Sequence, residues 1–378
     1  MFDLAKETNA WACYDCGKCT GTCPIARAGA NYSPRRHVLA ANKRDGTKIV
    51  PNDSLSACLT CSLCDQRCPA EVGYIDLVMR LREVAHGEGH EPECPHGGAL
   101  QSVMRMMAKG GTTQNRLGWL PDDLDTDPER GGVFYWTGCA MYYDAFFPEF
   151  ESKSLEGVKA AIKLLNSVNA KPVVSPDERC CGHDLLWNGD RKNFETLAEH
   201  NVNLVKESGA SVLVTSCAEC LRTWKVDYQP LLAGVDLRVC HITEYLADNL
   251  DILNLSANGQ RKVTFQDPCR LGRHLGIYDP PRKMLKAVPG VDFEEMGRKG
   301  PGAMCCAGGT WSNCDRFAKK MQVDRLREAR ATGAEVLVTA CPKCQIHFRC
   351  AMNDPNLGDE IKIEMLDIAE VIVAALAD

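Results

Sequence analysis

Two short stretches of the chain are apolar or β-branched at every position: VLVT at 212–215 and the same four letters at 336–339. Unbroken runs of this length predict strands covered on both faces, as in parallel sheets. VFYW at 133–136 and VTFQ at 263–266 predict further strands. Elsewhere apolar positions return at helical spacing. Residues 33–42 (SPRRHVLAAN) begin with a serine N-cap and a proline at the first turn, and predict a helix. Residues 74–85 (YIDLVMRLREVA), 99–109, 194–207 and 315–330 predict further helices. From residue 132 onward strands and helices alternate, which implies parallel α/β sheets with right-handed crossovers. Ahead of that point the pattern is helical.

The second part of the chain repeats itself. GASVLVTSCAEC at 209–220 matches GAEVLVTACPKC at 333–344 in eight of twelve positions, at an offset of 124. Upstream, VFYWTGC at 133–139 pairs with VTFQDPC at 263–269, and Cys180–Cys181–Gly182 pairs with Cys305–Cys306–Ala307. Each unit reads strand, cysteine, helix, strand, Cys–Cys, helix, strand, C-x-x-C, helix. Ligands of parallel sheets gather beyond the carboxyl ends of the strands. The cysteines all follow strands, so each unit is expected to bring five thiolates to one point: Cys139, Cys180, Cys181, Cys217 and Cys220, then Cys269, Cys305, Cys306, Cys341 and Cys344.

Composition narrows the chemistry. Hydrophobic residues make up 45% of the 378 positions and charged residues 25%, the balance of a soluble globular protein. A net charge of −6 argues against a nucleic-acid footprint. No run approaches the ~18 apolar residues of a membrane span, and the N-terminus has no apolar signal region. A cytoplasmic location is expected, where thiols stay reduced. The 22 cysteines then need a role other than disulfides, and metal supplies one.

Eight of them form two runs, Cys13, Cys16, Cys19, Cys23 before Pro24 and Cys58, Cys61, Cys64, Cys68 before Pro69. Both read C-x2-C-x2-C-x3-C-P, the two-cluster ferredoxin run, whose fourth cysteine ligates the other cluster. Cys13, Cys16, Cys19 and Cys68 are therefore expected to hold one [4Fe–4S] cubane, and Cys58, Cys61, Cys64 and Cys23 the other. A pair of zinc sites would explain neither the third cysteine nor the prolyl fourth in each run.

In the repeats the informative number is five, since a cubane or a tetrahedral zinc takes four ligands. The doubled C-x(n)-C-C-(G)-x(m)-C-x-x-C pattern resembles the CCG domains of the B-type component of heterodisulfide reductases. The helical ferredoxin ahead of it resembles their C-type component, and the fusion of the two resembles the D-type component. The resemblance implies an α/β fold with a helical double-cluster ferredoxin followed by two tandem Rossmann-like CCG domains in pseudo-twofold relation. The expected divisions are 1–90 for the ferredoxin, 91–131 for a linker, 132–258 and 259–378 for the CCG domains. It also implies two noncubane [4Fe–4S] clusters on the five-cysteine sets, making four clusters with the two cubanes. Cys180, Cys181, Cys305 and Cys306 take the catalytic role. One departure is Ala307 in place of the motif glycine, with Gly308 and Gly309 leaving a flexible turn expected one residue later.

The function so implied is reduction, or reversible formation, of a disulfide of the heterodisulfide type between the two noncubane clusters, fed singly by electrons from the cubanes. In methanogens that substrate is the mixed disulfide of coenzyme M and coenzyme B. The alternative is an electron-transfer subunit of a larger redox complex, of the benzoyl-CoA reductase, glycolate or lactate oxidation, or sulfate-respiration kind, with no disulfide chemistry of its own. A third is that one CCG unit holds structural zinc. Without a flavin or nicotinamide motif, a redox partner is expected: a flavoprotein, a hydrogenase or formate dehydrogenase, or a membrane cytochrome b, through which the chain could sit peripherally at a membrane. Arg270, Arg273 and His274 could meet an anionic thiol, as could His183. The plainer expectation is that the arginines cap a helix or pair with acids and His183 bonds a loop carbonyl. His241 reads as a core or strand-end residue. Cys94, Cys240, Cys314 and Cys350 read as non-ligands, and the Cys94–Pro95–His96 stretch as a loop without metal.

Overall fold

The computed structural model describes residues 2–43, 53–92, 95–111, 114–257 and 259–377. The apolar runs form two four-stranded sheets. β1 (Val133–Trp136), β2 (Pro172–Val173), β3 (Val212–Thr215) and β4 (Arg238–His241) lie in the order β2-β1-β3-β4. β5 (Arg261–Gln266), β6 (Val291–Phe293), β7 (Val336–Thr339) and β8 (Glu364–Asp367) repeat the order as β6-β5-β7-β8. Every ladder is parallel, and both VLVT runs occupy the central strand next to the first. Leu213, Val214, Val336, Leu337 and Val338 are wholly buried, as expected of strands covered on both faces.

The helices entering these central strands follow their end signals. Helix Arg191–Ser208 begins where Asp190 accepts the Asn193 N–H, and ends at Gly209 with φ 74°. Helix Arg316–Ala331 begins where Asp315 accepts the Phe317 and Ala318 N–H groups. Capping boxes follow both last strands, with His241 and Glu244 in one repeat and Asp367 and Glu370 in the other. The two repeats pack across a shared face. Helix Ile368–Val373 lies on helix Ser154–Ser167, where a Cβ on Gly157 would come within 3.0 Å of the Asp367 Cβ. The apolar C-terminal segment is thus core, and among the described residues no helix is long and apolar enough to cross a membrane.

The N-terminal region is helical, with Pro34–Asn42 capped by Ser33 and Tyr74–Gly87 following the second cysteine run. Its helix Pro24–Ala28 packs on Arg316–Ala331 of the second repeat. Within the stretch expected as a linker, one helix packs on the body of the protein. Leu100, Met104 and Met107 of helix Ala99–Lys109 are buried, and the helix lies against Arg191–Ser208.

Candidate functional site

The two ferredoxin runs fold into matching loops. Asp15 and Gly17 in the first have positive φ, as do Thr60 and Ser62 at the same places in the second. This left-handed geometry, costly for a residue with a Cβ, turns backbone N–H groups toward sulfur. Asp15 N donates to Cys13 Sγ and Thr60 N to Cys58 Sγ, both at 3.4 Å. Each fourth cysteine lies near the other run. Cys19 feels Cys13 and Cys68, while Cys23 feels Cys61 and Cys58. Cys23, Cys58, Cys61 and Cys64 are buried and line one small cavity with Ile25, Tyr32, Leu59 and Tyr74. Cys16 of the other set is exposed, and Cys13, Cys19 and Cys68 are half-buried.

In the repeats Cys139 and Cys217 sit just past β1 and β3, and Cys269 and Cys341 just past β5 and β7. Cys220 and Cys344 lie one turn into the helices Ala218–Arg222 and Pro342–Met352. The paired cysteines stand on loops that run on beyond β2 and β6 rather than directly at strand ends. The sulfurs nevertheless converge: Cys139 to Cys180 is 3.4 Å, Cys181 to Cys220 is 3.5 Å and Cys306 to Cys344 is 3.2 Å. Cys269 meets Cys305. Two further contacts join the groups. Cys217 meets Cys341 across the repeats, and Cys61 of the ferredoxin meets Cys305. Among the described residues every cysteine is free of disulfides.

The Cys–Cys turns correct one expectation. Ala307 has φ 64° and Gly182 φ 74°, so the turn is not displaced to Gly308. Ala307 adopts the left-handed conformation itself.

Between the repeats lies a buried charged cluster. Glu219 and Lys343 occupy equivalent places in the two C-x-x-C motifs, and their Oε2 and Nζ atoms are 2.7 Å apart. Lys343 Nζ is also 2.7 Å from Asp184 Oδ1. His183 Nδ1 lies 3.1 Å from Asp184 and 3.7 Å from Glu219. His183, Asp184 and Glu219 would suit a small cation, and the Lys343 ammonium serves as that cation. Burial works against every charge here. It pushes His183 down to about 3. Burial also disfavours the Asp184 carboxylate, but Lys343 and the His183 hydrogen bond together outweigh it and hold Asp184 ionised. Glu219 is pushed well up by burial, which outweighs Lys343. Lys343 and Glu219 line a cleft with Cys305, Cys306, Cys341 and Cys344.

His183 does not bond a loop carbonyl, since its Nε2 accepts from Arg270 Nε at 2.9 Å. Neither Arg270 nor Arg273 pairs with an acid. Arg270 bonds the Thr60 carbonyl and, at 2.6 Å, the Thr60 hydroxyl, stacks on Trp187 at 4.4 Å and approaches His274 at 2.8 Å. Arg273 donates to the carbonyls of Cys61 and Ala303, each at 2.6 Å. Arg82 donates to the carbonyls of Leu55, Ser56, Cys58 and Trp187. These arginines are 3%, 8% and 4% exposed in turn. Among the described residues none has a carboxylate within ion-pair reach. An unpaired buried guanidinium costs several kcal/mol, so the site calls for anionic charge. Thiolate-bound iron–sulfur clusters carry such charge, and the donor set fits them.

Asp184, Glu219, Lys343, Thr60 and Arg82 are members of this site that sequence reading passed over. The exchange of Glu219 for Lys343 at aligned positions was the one available signal. Cys240 is buried in β4, Cys314 is exposed and Cys350 receives a 3.3 Å contact from Lys319. None of the three joins the converging thiols. Cys94 lies outside the described residues. His241 ends β4 as a buried helix cap.

Comparison with known proteins agrees with this architecture. Residues 133–225 and 263–349 match the CCG cysteine-rich domain, and residues 9–72 the 4Fe-4S dicluster domain. Together these matches define an iron–sulfur protein of oxidoreductase electron transfer. The D-type component of dihydromethanophenazine:CoB–CoM heterodisulfide reductase from Methanosarcina acetivorans is 30% identical over 97% of this chain and 93% of its own. The B-type component of the CoM/CoB fumarate reductase of Methanothermobacter marburgensis is 27% identical over 97% and 72%. The chain belongs to the family of CCG-domain iron–sulfur proteins typified by the D-type component of heterodisulfide reductase. A hypothetical protein from Helicobacter pylori shares the fold, with a TM-score of 0.58 at 10% identity over 90% of this chain and 65% of that one.

Proposed function

We propose that the chain passes electrons from a redox partner to a small-molecule disulfide of the heterodisulfide type, reducing it or forming it reversibly. Cys13, Cys16, Cys19 and Cys68 hold one cubane [4Fe–4S] cluster, and Cys23, Cys58, Cys61 and Cys64 the second. Cys139, Cys180, Cys181, Cys217 and Cys220 hold one noncubane cluster. Cys269, Cys305, Cys306, Cys341 and Cys344 hold the other, with Cys180, Cys181, Cys305 and Cys306 in the catalytic role. When bound, such clusters supply one-electron redox steps and an iron able to take a sulfur ligand. The divisions are 1–90, 91–131, 132–258 and 259–378.

The observation that carries this reading is the pair of joining contacts. Cys61 against Cys305 leads from the buried ferredoxin site to the second repeat, and Cys217 against Cys341 leads on to the first. Cleaving RS–SR′ takes two electrons and two protons and yields two thiols. Two five-cysteine sites in contact suit that stoichiometry better than one. Lys343 and Glu219 stand in the cleft beside the second site, where an ammonium can orient an anionic thiolate. The electron donor is a partner protein of flavoprotein, hydrogenase, formate dehydrogenase or cytochrome b type. The chain works in the cytoplasm, peripheral to a membrane where the partner is a membrane protein.

Anaerobic purification with iron analysis and EPR under thiol titration tests this. Four clusters require about sixteen irons per chain, and a thiol-dependent paramagnetic signal is expected. About twelve irons with one zinc would remove a noncubane site. Full iron and normal reduction without any thiol-dependent signal would make the chain a relay within a larger complex.

A further inference from the structure

The two ferredoxin loops have the same backbone geometry and opposite surroundings. The first, around Cys13, Cys16 and Cys19, faces solvent. Its charged neighbours Asp15 and Lys18 are exposed, and the half-buried Arg35 is spent on Asp15 at 3.4 Å. The second, around Cys58, Cys61 and Cys64, is enclosed. Arg82, Arg270 and Arg273 bond the carbonyls of Leu55, Ser56, Cys58, Thr60 and Cys61 from behind. One half-buried carboxyl, Asp65, faces the same loop and is held by Ser62 and the Tyr74 N–H. Three buried cations thus stand against one acid. Among the described residues no carboxylate lies within ion-pair reach of any of the three, and only Arg270 acts at longer range, on Glu219 and Asp227.

We propose that Arg82, Arg270 and Arg273 are tuning residues that make the site at Cys23, Cys58, Cys61 and Cys64 the more easily reduced of the two cubane sites. Electrons entering at the exposed site are thereby drawn inward, toward Cys305. The inference rests on the reading that both cysteine sets hold cubanes. Reduction adds one negative charge. Water stabilises that charge at the exposed site, through a dielectric that also screens Arg35 and Lys18. At the enclosed site desolvation opposes it, but the field of three fixed guanidiniums acts through an effective dielectric of ~20 rather than ~80, so each is worth roughly four times more at equal distance. Net charge, hydrogen bonding and exposure are the levers that set cluster potentials. Here the charge lever is applied on one side only. Of the three, Arg82 touches neither five-cysteine site and isolates the effect.

The test is stepwise reduction of the anaerobically purified full chain, after equilibration in D2O, followed by EPR and deuterium ENDOR. The first cubane signal to appear should show weak deuterium coupling, since it belongs to the enclosed site. A strongly coupled first signal overturns the ordering. In Arg82→Gln the higher cubane midpoint should fall while the lower stays, by about tenfold in the reduction equilibrium, ~59 mV for one electron. Arg82→Lys, which keeps the charge, should retain most of the wild-type value. An unchanged midpoint in Arg82→Gln at full iron, or equal shifts in both variants, overturns the role of charge. If Arg82→Gln does not fold, the wild-type ordering and Arg82→Lys still decide. A chain without iron at these cysteines overturns the underlying reading instead, and iron analysis separates that case.

Discussion

The two cysteine-rich repeats have one scaffold and two different linings. Strand order, capping boxes and all five cysteines are shared. Around them the first repeat presents Ala140, Tyr143, His183 and Glu219 where the second presents Arg270, Arg273, Gly308 and Lys343. The second lining is the more cationic, and it is the one that touches the ferredoxin through Thr60 and Cys61. Duplication supplied two equal sites, and substitution at the positions around them made one the neighbour of the electron source. The Glu219–Lys343 pair shows this most directly, since equivalent positions with opposite charge become partners across the repeats.

The largest expected effect tests that pair. Lys343→Met leaves Asp184 and Glu219 buried without their cation and should cost ~3–5 kcal/mol of unfolding free energy, measured by anaerobic urea unfolding. Glu219→Gln should cost clearly less, because burial already pushes Glu219 toward its neutral form while Asp184 keeps the lysine paired. Equal losses would mean the two positions are interchangeable after all.

Next comes the Cys–Cys turn. Gly182→Ala places a Cβ 2.9 Å from Phe194 Cδ2 at a positive φ, and should cost about 2–4 kcal/mol. The matching position already holds alanine at φ 64°, so Ala307→Gly should raise stability, by up to ~1 kcal/mol. A loss from Ala307→Gly would show that the second turn depends on the Ala307 methyl.

The capping boxes differ in titration. Burial pushes His241 down to about 4, below its unfolded value near 6.5. The unfolded chain therefore binds the proton first. The His241 cap is without penalty above pH 6.5, and stability falls as pH drops from there toward 4, by ~2 kcal/mol at pH 5. His241→Asn keeps a capping acceptor and should flatten that part of the profile. Asp367, at the same place in the second repeat, is shifted the opposite way, raised by burial. Its protonated form is favoured in the native state, so its contribution is full below about pH 4 and declines as pH rises. An unchanged acid slope in His241→Asn would move the cause elsewhere. The smallest effect is expected at an unmatched cysteine: Cys314→Ser should leave iron content unchanged and stability within about 0.5 kcal/mol.

Much of this was legible in the chain. The VLVT runs marked central strands because only a strand buried on both faces needs such continuity. Ser33 marked a helix start because a side-chain oxygen must meet free N–H groups there. Other features were misread for physical reasons. Arg270 and Arg273 read as helix caps or partners of acids, yet they bond carbonyls more than two hundred residues away in sequence. Ala307 was expected to pass its turn to the next glycine, since nothing in one sequence reveals that packing can hold an alanine in a left-handed conformation.

By itself the sequence determined the class of chemistry, the two sheets and the two kinds of cysteine set, because ligand spacing and hydrophobic period are local properties. The tertiary structure alone decided which sites touch, that Cys61 meets Cys305 and Cys217 meets Cys341, and that three arginines enclose one ferredoxin loop and leave the other to solvent. Those outcomes depend on how domains dock. Docking is governed by burial and charge summed over surfaces that no short stretch of chain contains.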